Sequence, residues 1–190
     1  MTDSHTTSRH NGRAVAVDSA AARAIADRIA AGRHELAQRI VERFREEIAD
    51  YRLVEDEEVL ADVLAFALDS LDALTAGLRD GQGACAALLE PACATARRRF
   101  HQRISLESFL HAARIWARVV WDAVLEQVRP DQRDELEAAL TVALRVLSQI
   151  DQISTAAAEA YVDEVGDRGL LRRDLKIGRA SCRERVCHNV

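Results

Sequence analysis

Four cysteines, six histidines, two tryptophans and the run Arg97–Arg98–Arg99 are the residues through which this chain could do chemistry beyond packing. Cys85 and Cys93 lie in its body, Cys182 and Cys187 near its end. They form no C-x-x-C pair, and the C-x4-C spacing of the last two lacks a second half with matching ligands, so no metal site is expected. No nucleophile–base pair, glycine-rich phosphate loop or H-E-x-x-H motif occurs. The carboxylates are spread along helical faces, where a solvated surface accounts for them. The chain is not expected to be an enzyme.

His101 is the most suggestive single residue. It stands just before a helix break, in "FHQRISLESFLHAA", a setting similar to the H-x-x-I-x-L of globin-type haem sensors. A neutral imidazole is a competent axial ligand. A histidine at a helix end is more often a cap or a surface residue than a ligand, so His101 is the candidate haem ligand of the alternative reading and no cofactor is expected. The three arginines fall in the last turns of the same helix, where cations complement the helix dipole. His111 is expected half-buried on the next helix. Trp116 and Trp121 are five residues apart and do not share a face, so one is expected inside and the other at a pocket or interface.

The elements that position these residues are helical. Aromatic residues make up only 4%, prolines number two, and Ala, Leu, Arg and Glu abound, a composition that favours helix over strand. Asp18 is a plausible cap for a first helix ending near Gly32. "RHELAQRIVERFREEIADY" repeats Leu36, Ile40, Phe44 and Ile48 every fourth residue, one helical stripe. A third helix opens at the acidic Glu55–Glu58 and carries Leu60, Leu64, Ala67, Leu71, Leu74 and Leu78 as far as "DGQG". A fourth starts at Cys85–Leu89 or with Pro91 in its first turn. Ser105 caps a fifth, with Leu106, Leu110, Ala113, Trp116, Val120 and Val124 on one face. The last and longest runs from about Asp131 to Val165 through Leu136, Leu140, Leu144, Leu147, Ile150, Ile153, Ala157 and Tyr161. The expectation is an all-α, globin-like bundle of some six helices with a long C-terminal helix.

No apolar run approaches the ~18 residues of a membrane span, and "MTDSHTTSRHNGR" lacks the apolar core of a secretory signal. A cytoplasmic location without membrane contact is expected. The formal net charge is −5. Without residues 176–190 the chain holds 22 basic and 30 acidic residues, a balance of −8. Such a body is a poor ligand for a phosphate backbone.

The stretches "ARRRFHQRISLESFLHAARIWARVVWDAVLEQV" and "LSQIDQISTAAAEAYVDE" resemble the N-terminal helical domain of actinobacterial PucR/CdaR-type transcriptional regulators, related to the RsbRD domain of the RsbT co-antagonist protein. The resemblance covers about Ala21 to Leu175, and "IADY" at Ile48–Tyr51 takes the place of an "IPEY"-like element without its proline. It implies a non-enzymatic sensory domain ahead of a helix-turn-helix part, which alone would contact DNA. It also implies a globin-like fold without haem that pairs through its last two helices. On that basis the candidate dimer residues are Trp116, Val120, Leu140, Leu144, Leu147, Ile150, Ile153 and Ala157, and the signal is an unidentified small molecule or protein. Two alternatives stand beside this reading: a globin-type haem gas sensor, and an RsbR-like interaction module of a stress-response sigma-factor pathway.

The chain is therefore expected to divide into a disordered arm (1–17), a helical sensory domain (18–165), the start of a linker helix (166–175) and a foreign tail (176–190). From Lys176 to Cys187 the residues "KIGRASCRERVC" resemble a translated sequencing adapter. Nothing after Leu175 matches the DNA-binding part of such regulators, so a truncated reading frame is expected.

Overall fold

Leu36, Ile40, Phe44 and Ile48 are all buried, as a four-residue repeat on one side of a helix requires. In the computed structural model the described residues are 20–80, 86–129 and 131–186, with the backbone course alone for 86, 87 and 168–186. They form seven helices and no strand: α1 (Ala20–Ala31), α2 (Arg33–Glu47), α3 (Ala49–Arg52), α4 (Glu57–Asp80), α5 (Ala86–His101), α6 (Leu106–Leu125) and α7 (Arg133–Val186). Expectations about the N-terminal arm, the Asp18 cap, "GQG", Cys85 and the side chains of the tail lie outside the described residues.

The seventh helix arises because "IADY" is not a continuation of α2. Ile48 is extended (φ −115°, ψ 121°), ends α2 and opens the four-residue α3. The break turns Tyr51 into the core and frees Asp50 for another element. Its Oδ2 accepts from the Ser105 backbone N–H and hydroxyl, each at 2.9 Å. Ser105 in turn caps α6, accepting from the Ser108 N–H at 3.2 Å. Between α5 and α6 the chain reverses on Arg103, the one non-glycine residue with positive φ (65°) among those described. Ile104 N–H donates to the Arg99 carbonyl at 3.0 Å and Arg103 N–H to that of Phe100 at 3.1 Å, the paired bonds of a Schellman ending.

Pro91 sits inside α5 rather than in its first turn, since the helix already starts at Ala86. On α6 the buried face is centred on Phe109, Ala112, Ile115, Trp116 and Val119, while Leu110 and Ala113 are only half-buried. The face is turned because α6 packs between α2 and α7 and must cover both.

α7 packs against α5, α6, α1 and α4 and continues well past the expected end at Val165. Gly166 and Gly169 each disfavour helix by about 1 kcal/mol, but the Leu and Arg residues around them are good helix formers. What α7 buries differs from the apolar stripe read in the sequence. Ala138, Ala139, Val142 and Val146 face the core, and Leu136, Leu140, Leu144 and Leu147 face outward. The buried residues gather in two clusters. The larger joins α1–α4, α6 and the first half of α7; the smaller joins α5, Phe109 and Ile153–Tyr161.

Candidate functional site

Where the two clusters meet, packing is incomplete. A cavity of about 50 Å³ lies there, walled by α2, α3, α4, α5, α6 and α7. Phe44, Phe66 and Phe109 give it aromatic sides, and Ile150 and Ile153 of α7 close it. Three polar residues in its wall, Ser70, Thr95 and Arg99, are buried. The Ser70 hydroxyl donates to the Phe66 carbonyl at 2.8 Å, and Thr95 Oγ1 accepts from Arg98 Nη2 at 2.9 Å. Both are thus engaged by the protein itself.

Arg99 is 1% exposed. Its Nη1 donates to Asp62 Oδ2 and to Gln102 Oε1, both at 2.7 Å. Arg98 reaches the same carboxylate, 2.9 Å from Oδ1. Burial raises the affinity of Asp62 for a proton, but the two arginines outweigh it and hold the carboxyl below its usual range. Tyr51, also on the cavity wall, has its hydroxyl pushed up to about 12 by burial, against the opposing pull of Arg99. The arginine run is therefore mainly a bridge from α5 to α4 rather than a helix cap. The signal was present in the sequence: Leu88, Ala92, Thr95, Ala96 and Arg99 share one face of α5 at three- and four-residue spacing.

Trp116 is 5% exposed, and its indole Nε1 is buried with no hydrogen-bond partner, alone in this among the described side chains. The ring lines the cavity. Trp121 is half-buried and packs on the larger cluster, and His111 is half-buried.

His101 lies elsewhere. Its side chain is 58% exposed, and Nε2 stands 3.1 Å from Glu164 Oε2 of α7. The residues present do not fit a haem: the histidine faces outward onto a carboxylate, and the cavity is too small for a macrocycle.

The residues considered for a dimer divide sharply. Trp116, Val120, Ile153 and Ala157 are turned into the chain's own core, and Ile150 is a cavity wall. Leu140, Leu144 and Leu147 are exposed, Leu144 at 67%. At about 100° per residue, Leu136, Leu140, Leu144, Leu147, Val162 and Val165 fall within an arc of about 80°, and all six are exposed. Asp151 and Thr155, both exposed, interrupt the stripe. Sequence periodicity found these leucines but placed them on the same face as Ile153 and Ala157.

Among the described residues no helix is long and apolar enough to cross a membrane, and no group of three or more His, Cys, Asp or Glu residues could hold a metal. A family model, the RsbT co-antagonist protein rsbRD N-terminal domain, matches residues 34–175. Nothing matches among curated proteins or solved structures.

Proposed function

The chain belongs to the RsbT co-antagonist protein rsbRD N-terminal domain family, and on that premise we propose that it is the sensory half of a PucR-type transcriptional regulator, non-enzymatic and dimeric through α7. Residues 18–165 make up the sensory domain, and residues 166–175 begin a helix leading toward the DNA-binding part. DNA is contacted through that part and not through the acidic helical body, whose charge opposes a phosphate backbone. Residues 176–190 are of adapter origin in this reading.

The observation that carries it is the outward leucine and valine stripe of α7. Six large apolar residues in one arc extend over roughly 44 Å of helix. Solvation disfavours leaving such a band in water, by about 1.5–3 kcal/mol for each large side chain compared with full burial. A second copy of α7 presents the same band, so a two-fold seam is self-complementary. Because α7 continues without a break, a shift at the seam reaches residues beyond 165 as a rigid displacement.

Sedimentation of the 190-residue chain and of Leu144→Glu tests the seam. The parent should sediment as a dimer at tens of micromolar. The variant should be a folded monomer, since two buried unpaired carboxylates oppose association by several kcal/mol. A monomeric parent removes the mechanism. Ile150→Glu is not a substitute, because that residue walls the cavity and its charge would disturb the chain's own core. Reading the gene beyond codon 175 tests the rest: a helix-turn-helix there supports the proposal, and a STAS-type phosphoacceptor domain overturns it.

A further inference from the structure

The turn between α5 and α6 is strained for no reason found inside the chain. Arg103 holds φ 65°, which disfavours any residue with a Cβ and which glycine would adopt freely. Its side chain is exposed and makes no hydrogen bond or ion pair among the described residues. Non-glycine residues in such conformations gather at ligand-binding sites. Arg103 also lines an open groove of about 410 Å³ between this turn and the segment joining α3 to α4. Leu53, Val54, Val59 and Ile104 give the groove apolar walls, and Leu53, at 80%, is the most exposed large apolar residue among those described. Three of its polar residues are already committed. Asp50 holds Ser105, Asp56 Oδ1 accepts from the Glu58 N–H at 2.9 Å, and Gln102 Oε1 accepts from Arg99. Glu55, exposed on the α3–α4 side, has no such partner among the described residues and forms no ion pair with Arg103.

We propose that the groove binds an apolar zwitterion of dipeptide size, its carboxylate taken by Arg103, its ammonium by Glu55 and its side chains laid over Leu53 and Val59. The class follows from charge complementarity. Two opposite charges line one groove from two different segments without meeting each other, and a ligand carrying both signs satisfies both, whereas a simple anion or cation leaves one unmet. The size follows from the volume, which lies within the ~300–1,000 Å³ of small-molecule sites. On the scale where ~150 Å³ admits benzene, about 410 Å³ holds roughly sixteen heavy atoms, the size of an apolar dipeptide. The site deepens the sensory reading of the domain by giving its signal a chemical class, and it rests on that reading for the consequence of binding alone. The Ile104 carbonyl accepts from the Tyr161 hydroxyl of α7 at 2.9 Å, so an occupant that shifts this turn acts on the helix that carries the seam.

The test titrates the full 190-residue chain, ¹⁵N-labelled, with four probes at pH about 7: leucyl-leucine, N-acetyl-leucyl-leucine without the ammonium, leucyl-leucinamide without the carboxylate, and leucine. Leucyl-leucine should shift the amides of residues 53–56 and 102–104 saturably, with a Kd of roughly 0.1–1 mM. Each blocked peptide should bind about threefold to fivefold more weakly, the worth of one exposed ion pair, and leucine more weakly still. Arg103→Gly, which relieves the backbone, should bind leucyl-leucine and its amide equally. Glu55→Gln should bind leucyl-leucine and its N-acetyl form equally. Both substituted residues are exposed, so both variants should keep the parent's helical circular dichroism. Leu53→Ser should weaken all the peptides together. A leucyl-leucine response that is absent, fails to saturate or falls on other residues overturns the proposal. So does equal affinity for the free and blocked peptides in the parent, or a Glu55→Gln variant that still prefers the free ammonium. Leucine binding as tightly as the dipeptide overturns the size. These amides report the groove in monomer and dimer alike, so failure here is separable from failure of the α7 seam.

Discussion

Replacing Asp62 by alanine isolates the buried arginine. Arg99, at 1% exposure, then keeps only the neutral Gln102 oxygen at 2.7 Å among the partners named above. Removing one member of a buried ion pair costs about 3–5 kcal/mol. The Asp62 side chain is 28% exposed, so solvent already screens part of the pair, and about 2–3 kcal/mol is expected here. Arg99→Met should cost less, because the long apolar side chain fills the same space and Asp62 retains Arg98. Asp62→Ala/Arg99→Met should be close to Arg99→Met alone, giving a coupling energy of about 2 kcal/mol. Urea denaturation of the four proteins measures this directly, provided the m-values agree. Coupling under about 0.5 kcal/mol, or a double variant as unstable as the sum of the singles, refutes the reasoning. The pH dependence adds a second check. The folded Asp62 carboxyl lies below its ordinary value, so its contribution is fully present above the unfolded carboxylate pKa of about 4. It is lost as pH falls through the lower folded value. The stability gap between parent and Asp62→Ala should therefore be widest near neutrality and shrink below pH about 4. A gap that widens on acidification contradicts the assignment.

Arg103 holds φ 65° at the end of α5, a conformation that disfavours any residue with a Cβ. Arg103→Gly should raise stability by about 0.5–1 kcal/mol in urea denaturation, and a loss would show that the Arg103 side chain contributes more than its backbone strain removes. Gly166 lies within α7 with nothing near the place a Cβ would occupy. Gly166→Ala should add helicity by circular dichroism and about 0.5–1 kcal/mol of stability; no gain in helicity would mean that the helix is already broken there in solution.

The sequence by itself determined that the chain is helical, where most helices lie, and which face of α2 and of the last two-thirds of α4 is buried. Leu36, Ile40, Phe44 and Ile48 illustrate why: when a helix packs on one side only, period and burial coincide. The Ser105 cap was legible for a similar reason, since its hydrogen bond to Ser108 closes within one turn. What depended on distant segments was not legible. "IADY" reads as ordinary helix until Asp50 is seen holding the start of α6. The arginines read as a helix end until Asp62 of α4 meets Arg99. On α7 both the leucines and the alanines are apolar, so periodicity alone could not say which set faces inward. The close approach of α5, α6 and α1 decided it, because Ala and Val fit a tight helix–helix contact and four leucines do not. The cavity was wholly a tertiary result. It exists because two clusters meet without fusing.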